Sequence, residues 1–248
     1  MSAIVFACVL GGAVSGIFLR NTLPEHHLSG ATKDVVRLGT GLIGTIAALV
    51  LGLLIASANS TYETQSSQVQ QVAAEVVVLD STLAQYGPET RSARNLLRGV
   101  VSTLADRIWH ENGSDSAKAH PFEANASSLA FYNEILKLSP QNEAQRSLQA
   151  KAIDSIQDLG KTRLLLFAEG GGEIPMPFLV VLVSWLAIIF ASYSLFADNN
   201  TTTIVALGIF ALSASAAIFL ILELSQPFAG LMMISSAPLR AALAPLGS

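Results

Sequence analysis

Four long stretches of the chain contain no charged residue and are rich in apolar side chains. They cover residues 1–19, 38–57, 178–197 and 203–222. A helix needs about 20 such residues to cross the hydrocarbon core of a bilayer. Within lipid, a helix also satisfies its own backbone polar groups. The pattern therefore predicts four transmembrane helices.

The residues between the second and third spans follow a different pattern. Of the chain's 32 Asp, Glu, Lys and Arg residues, 24 lie within 59–173. Within 69–86 the apolar residues alternate spacings of three and four, which is a heptad seam on one helix face. The seam comprises Val69, Val72, Val76, Leu79, Leu83 and Tyr86. We expect it to pack within this charged, helical insert or between subunits.

Gly87-Pro88 is expected to end the seam helix, and Pro88 suits the first turn of the next helix. That helix carries four arginines, which either form an anion-attracting surface or a solvated face paired with Glu89 and Asp106. We favour the second interpretation. The four are Arg91, Arg94, Arg98 and Arg107. Further along, Ser139-Pro140 predicts the start of another long helix.

These patterns predict an all-α, polytopic membrane protein with four transmembrane helices and a helical insert between the second and third. The first two spans and their connecting loop occupy 1–58, the insert 59–174, and the last two spans 175–223. The remaining residues, 224–248, include an apolar run that is too short to span and is interrupted by Pro227 and Pro238. We expect this segment to be interfacial or re-entrant.

The charge and the motifs of the chain indicate which partners and activities are not expected. The net charge of −4 is mild and mixed in sign, so nucleic acid is not an expected partner. No metal-ligand spacing, nucleophile-elbow sequence or catalytic carboxylate pair is evident, so we expect neither an enzyme nor a cofactor. The single cysteine, Cys8, lies in the first apolar run and is expected to be buried.

Small residues recur at every fourth position of the second span. A small face permits close helix–helix approach, and in an oligomer the same face could line an axial pore. Both interpretations stay open, with packing preferred. This ladder, the candidate pore or helix-packing face, consists of Thr40, Gly44, Ala48, Gly52 and Ala56. The first span has a weaker counterpart in Ala3, Ala7, Gly11 and Ser15.

Glu223 is an ionisable residue at the membrane-boundary end of the fourth span, with apolar neighbours on both sides. Such a residue is a functional candidate by default. The alternative is a carboxylate at a helix end that reaches interfacial water.

Several stretches together resemble a bacterial membrane family described as bestrophin-like, which is remotely related to the bestrophins. They are Tyr62-Glu63, residues 162–165 (TRLL), residues 222–231 (LELSQPFAGL) and residues 235–239 (SSAPL). Bestrophins are homopentameric ion channels, mostly for anions, with a pore lined by the second span and a helical cytosolic body. The resemblance implies pore-facing positions at Gly44, Ala48, Gly52 and Ala56. The acidic cluster of the animal calcium clasp is missing, so calcium gating is not implied.

The leading hypothesis is a homo-oligomeric ion channel in the bacterial inner (plasma) membrane, whose partners are the lipid bilayer, further copies of the chain and small ions. The alternative is a non-conducting membrane scaffold or sensor that binds a partner protein through the helical insert.

Overall fold

The computed structural model describes residues 2–24, 30–110, 126–169, 176–197 and 200–244. Every regular element in this part of the chain is helical, and a short 3-10 turn, Pro88–Thr90, separates the second and third α-helices. The helices are α1 (Ser2–Thr22), α2 (Gly30–Tyr86), α3 (Arg91–His110), α4 (Ala126–Leu136), α5 (Glu143–Glu169), α6 (Met176–Phe196), α7 (Thr201–Leu224) and α8 (Ala237–Leu243).

Four of these helices, α1, α2, α6 and α7, are long and apolar enough to cross a membrane. Each covers all or nearly all of one of the four stretches without charge. The prediction of an all-α chain with four transmembrane helices is therefore confirmed. It succeeds because hydrophobic length and the absence of charge are direct requirements of a helix in lipid.

The chain forms two compact units. The membrane unit comprises Met1–Ser60 and Glu173–Ser225, and the helical unit comprises Thr61–Gly172 and Gln226–Ser248. Helix α2 contributes its first half to the membrane unit and its second half to the helical unit.

The core of the membrane unit contains apolar side chains from all four spans. Val9 of α1 and Ala211 of α7 are completely buried, and Leu182 of α6 is nearly so. Cys8, in contrast, is exposed on α1. The expectation that its thiol is buried is wrong for the single chain, because α1 turns the neighbouring Val5 and Val9 into the core instead.

The core of the helical unit is built on the seam of α2. All six seam residues are at most 5% exposed. Five of them pack with the apolar face of α3 and with residues of α4, α5 and α8, namely Val69, Val72, Val76, Leu79 and Leu83. The heptad prediction is confirmed, and the partner of the seam lies within the same chain. The connection to α3 needs a glycine, because Gly87 has a φ of 139°.

Helix α5 begins later than the sequence predicted. Its first residue is Glu143, three positions beyond Pro140. The side-chain oxygen of Asn142 accepts a hydrogen bond from the Gln145 N–H at 2.8 Å and so caps the first turn. The expected start at Ser139-Pro140 is therefore wrong. Asparagine and serine are both good capping residues, so the sequence pattern alone does not distinguish Asn142 from Ser139.

The C-terminal segment joins the core of the helical unit. The indole N–H of Trp109 donates a hydrogen bond to the Ile234 carbonyl at 2.8 Å, and the Trp109 ring packs edge-on against Phe228. Leu239 of α8 is 1% exposed. Leu231 is 84% exposed, and an interfacial position for part of this segment stays a prediction.

Candidate functional site: the outward face of the second helix

One side of α2 packs against the membrane unit. We define its packing stripe by residues that are buried or half-buried in the single chain and that recur every three or four positions. The packing stripe is Thr40, Ile43, Ala47, Leu51, Leu54 and Ala58.

The opposite side of α2 is uncovered. At about 100° per residue, its members lie within about 40° of one line, on the far side from the packing stripe. We define this outward face as Leu38, Leu42, Thr45, Leu49, Gly52 and Ala56, all of them exposed. Only 11% of the most apolar stretch of α2 is buried, compared with 22% in each other span. Thus α2 is the span that its own subunit covers least.

The structure places the five ladder residues on different sides of α2. Thr40 is 5% exposed, and a Cβ added to Gly44 would lie 3.9 Å from the Ile189 Cδ1. Ala48, Gly52 and Ala56 are exposed, and a Cβ on Gly52 would meet nothing within 4 Å.

This placement follows from helix geometry. A step of four residues overshoots a full turn by about 40°, so four steps carry the ladder about 160° around the helix. The ladder starts on the packing stripe and ends on the outward face. The packing interpretation therefore applies to Thr40 and Gly44, and the pore interpretation to Ala48, Gly52 and Ala56. Both stay predictions.

The chemistry of the outward face is mostly apolar. Thr45 is its only hydroxyl, and that hydroxyl donates to the Gly41 carbonyl at 3.0 Å within the helix. No ionisable residue occurs within 38–57. Such a surface can contact lipid, pack against another subunit, or form a hydrophobic constriction that controls ion flow by excluding water.

Glu223 lies in the last turn of α7 and is half-buried next to the buried Leu224. The residue has an interaction partner in the structure. A carboxylate in the last turn of a helix is disfavoured by the helix dipole, since the carbonyl ends carry partial negative charge. Glu223 and the ladder belong to different helices. Its functional role stays a prediction.

A close contact between α1 and α6 lies outside the ladder and its α1 counterpart. A Cβ on Gly12 would fall on the Ala187 backbone of α6, and a Cβ on Gly16 would lie 2.9 Å from the Ser194 Cβ. Gly11, which had been selected with the α1 counterpart of the ladder, faces open space. The missed signal was Gly12-x-x-x-Gly16, the spacing that allows two helix backbones to approach closely.

The fold defines an integral membrane protein in which one long helix is shared by the membrane unit and the helical unit. The chain belongs to the Bestrophin-like family: the model of the Bestrophin-like domain matches residues 7–239. The recognition of this family from sequence is confirmed.

Two solved structures have the same fold. Both are crystal structures of point mutants of a bacterial bestrophin homologue from Klebsiella pneumoniae, with TM-scores of 0.64 and 0.65. Sequence identity is 15% and 16%, and each match covers 98% of this chain and 96% of the other. No curated protein matches the chain.

Proposed function

We propose that the protein is a homo-oligomeric ion channel whose pore is lined by the outward face of α2. The observation that carries this proposal is the low coverage of α2 by its own subunit. A single chain offers no path through its centre, because Val9, Leu182 and Ala211 fill the core of the membrane unit. A conducting pathway therefore requires several copies, each presenting an uncovered helix to a common axis.

Three further features support α2 as that helix. It is 57 residues long, so it can line a pore and continue well beyond the hydrocarbon layer. Its outward face combines large leucines toward its N-terminal end with Gly52 and Ala56 toward the other end. This arrangement suits a narrow apolar constriction followed by a wider section. Family membership agrees with an ion channel in the bacterial inner membrane, with small ions as the permeant species.

Planar bilayers test the proposal directly. The full chain is purified in detergent, its oligomeric state is measured by light scattering, and the oligomer is reconstituted with symmetrical salt. We expect one oligomeric species and unitary currents that are absent from protein-free bilayers. A stable monomer contradicts the proposal. A stable oligomer without current in chloride, sodium or potassium salts favours a scaffold or sensor that binds a partner protein through its helical unit.

A further inference from the structure

A groove of about 690 Å³ opens in the membrane unit between the first turns of α2, the last turn of α6 and the first turns of α7. Pockets for small organic molecules usually measure about 300–1,000 Å³, so this groove can hold a ligand of that class. It plays no part in the pore proposal.

One end of the groove is cationic. Lys33 and Arg37 are one helical turn apart on α2, so both side chains lie on the same face of the helix and line the same end of the groove. Both are exposed, and no acidic residue is among the described residues that line the groove. Within the described part of the chain, neither side chain forms an ion pair. The hydroxyl of Thr203 lies on the opposing helix.

The groove also has an apolar wall, although polar side chains such as Ser192 and Tyr193 line the groove too. Val36, Leu207 and Phe210 line it, and Phe210 lies seven residues beyond Thr203 on α7. Seven residues of helix correspond to about 10 Å. Along α7, the lining therefore passes from the hydroxyl of Thr203, at the end with the two basic residues, to the ring of Phe210 over a distance similar to that between a lipid headgroup and its acyl chains.

The two basic residues belong to this groove and not to the outward face of α2. Lys33, Arg37 and Thr40 follow a spacing of four and three, which places them on the side of the packing stripe. Their charge therefore calls for an explanation other than attraction of ions to a pore lined by the opposite face.

We propose that this groove binds one acidic phospholipid. The phosphate is held by Lys33 and Arg37, and an acyl chain lies along Val36, Leu207 and Phe210. Charge complementarity selects the anionic headgroup, because each basic residue attracts it independently. The apolar wall distinguishes a lipid from a free phosphate ion, which would gain nothing from it.

Lipid adducts on the detergent-purified full chain can be counted by native mass spectrometry. The probes are phosphatidylglycerol and phosphatidylcholine with identical acyl chains. The test variant combines Lys33→Gln and Arg37→Gln, and the control is Arg91→Gln, an exposed arginine of α3. We expect phosphatidylglycerol to bind about 25-fold more weakly to the double variant, about 5-fold for each charge. Phosphatidylcholine binding should not change, and the control should behave as wild type.

A second variant tests the apolar wall. Ala206 lines the groove and is half-buried, so Ala206→Phe should fill space needed by the acyl chain and weaken phosphatidylglycerol binding while both charges remain. Three results overturn the proposal. The double variant could keep its phosphatidylglycerol, glycerol phosphate could displace the lipid at equal concentration, or the double variant could change oligomer size and not lipid retention. The last result would mean that a neighbouring subunit fills the groove.

Discussion

Arg94 of α3 holds Asp80 of α2 in a two-point ion pair, with Nε 2.7 Å from Oδ1 and Nη2 2.9 Å from Oδ2. The side chains are 18% and 8% exposed. The hydrogen bond to Asp80 raises the pKa of Arg94 above its usual value, against the opposing effect of burial. The expected face of arginines paired with Glu89 and Asp106 is therefore wrong at Arg94, whose partner lies on the preceding helix.

Asp80→Asn should destabilise the helical unit. It leaves the Arg94 guanidinium largely buried without its anion, so we expect a loss of about 2 kcal/mol. This is less than the 3–5 kcal/mol typical of a fully buried pair, because water still reaches Arg94. Denaturant unfolding in detergent measures the loss. Asp158→Asn, which removes the exposed partner of Lys161, is the control and should change little.

The same pair sets a pH expectation. A raised arginine pKa stabilises the fold fully below the usual arginine pKa and loses that effect only as the pH rises through the raised value. The Arg94 contribution should therefore be equal at pH 6 and pH 9. A contribution from Arg94 that declines between these values would contradict the assignment.

Val76→Asp should unfold the helical unit. Val76 is fully buried in the seam of α2, and a carboxylate at this position would be desolvated among apolar side chains. We expect a cost above about 3 kcal/mol. Val77→Asp is the matched control, because the neighbouring side chain is 43% exposed. Thermal melts followed by circular dichroism separate the two variants, and equal melting temperatures would show that the seam is not packed.

Gly12→Ala should weaken the contact between α1 and α6. The new methyl group would fall on the Ala187 backbone, so the helices must separate, at a cost of about 1–3 kcal/mol. Gly11→Ala adds the same methyl group one position away, where nothing lies within 4 Å, and should be neutral or slightly stabilising. Detergent melts of both variants test the difference. A larger loss of stability in Gly11→Ala than in Gly12→Ala would contradict the assignment of the close α1–α6 contact to the Gly12 face of α1.

Gly52→Leu distinguishes a pore from a subunit interface. A Cβ at this position meets nothing within 4 Å in the single chain, so a steric effect of the larger side chain is expected where copies meet. If the outward face lines a pore, the oligomer should persist while unitary current falls through occlusion. Ala48→Ser adds a hydroxyl on the neighbouring exposed rung and should preserve conduction in a wet pore. Light scattering and bilayer currents are the measurements, and loss of the oligomer in Gly52→Leu would assign this rung to packing.

Glu223→Gln should preserve the fold while changing conductance or its pH dependence. The substitution keeps size and hydrogen-bonding capacity but removes the charge at the end of α7. Glu143→Gln, on the exposed start of α5, is a control for charge alone. Bilayer currents across the acidic range provide the test. Currents equal to wild type at every pH would assign Glu223 to the helix end only.

Spans and seams were predictable because each depends on a local rule. A run of about 20 uncharged residues indicates a span, and apolar residues spaced alternately by three and four positions indicate which side chains are buried. The start of α5 at Glu143 was missed because several polar residues near Ser139 can cap a helix equally well. The Arg94–Asp80 pair was not predictable, because the conformation of the turn at Gly87 determines which face of α3 packs against α2.

The candidate site was only partly predictable. The spacing of four predicts a slowly drifting face, and over four steps the drift carries the ladder from buried Thr40 to exposed Ala56. Sequence periodicity gives angles around one helix, but it does not say which angle another helix occupies. For the same reason the spacing of four in α1 includes Gly11, although Gly12 makes the contact.

The two spacings on α2 impose different crossing angles on any neighbour. Alternating steps of three and four allow a partner helix to run nearly parallel, at about 20°, with contacts over many turns. Steps of four are inclined to the helix axis, and two helices that meet along them cross at about 40–50° in the opposite sense. If Ala48, Gly52 and Ala56 formed the subunit interface and did not line the pore, copies that met through them would therefore have their α2 helices close together at one level only. Above and below that level the α2 helices would diverge, so the diameter of the ring of copies would increase toward both membrane surfaces.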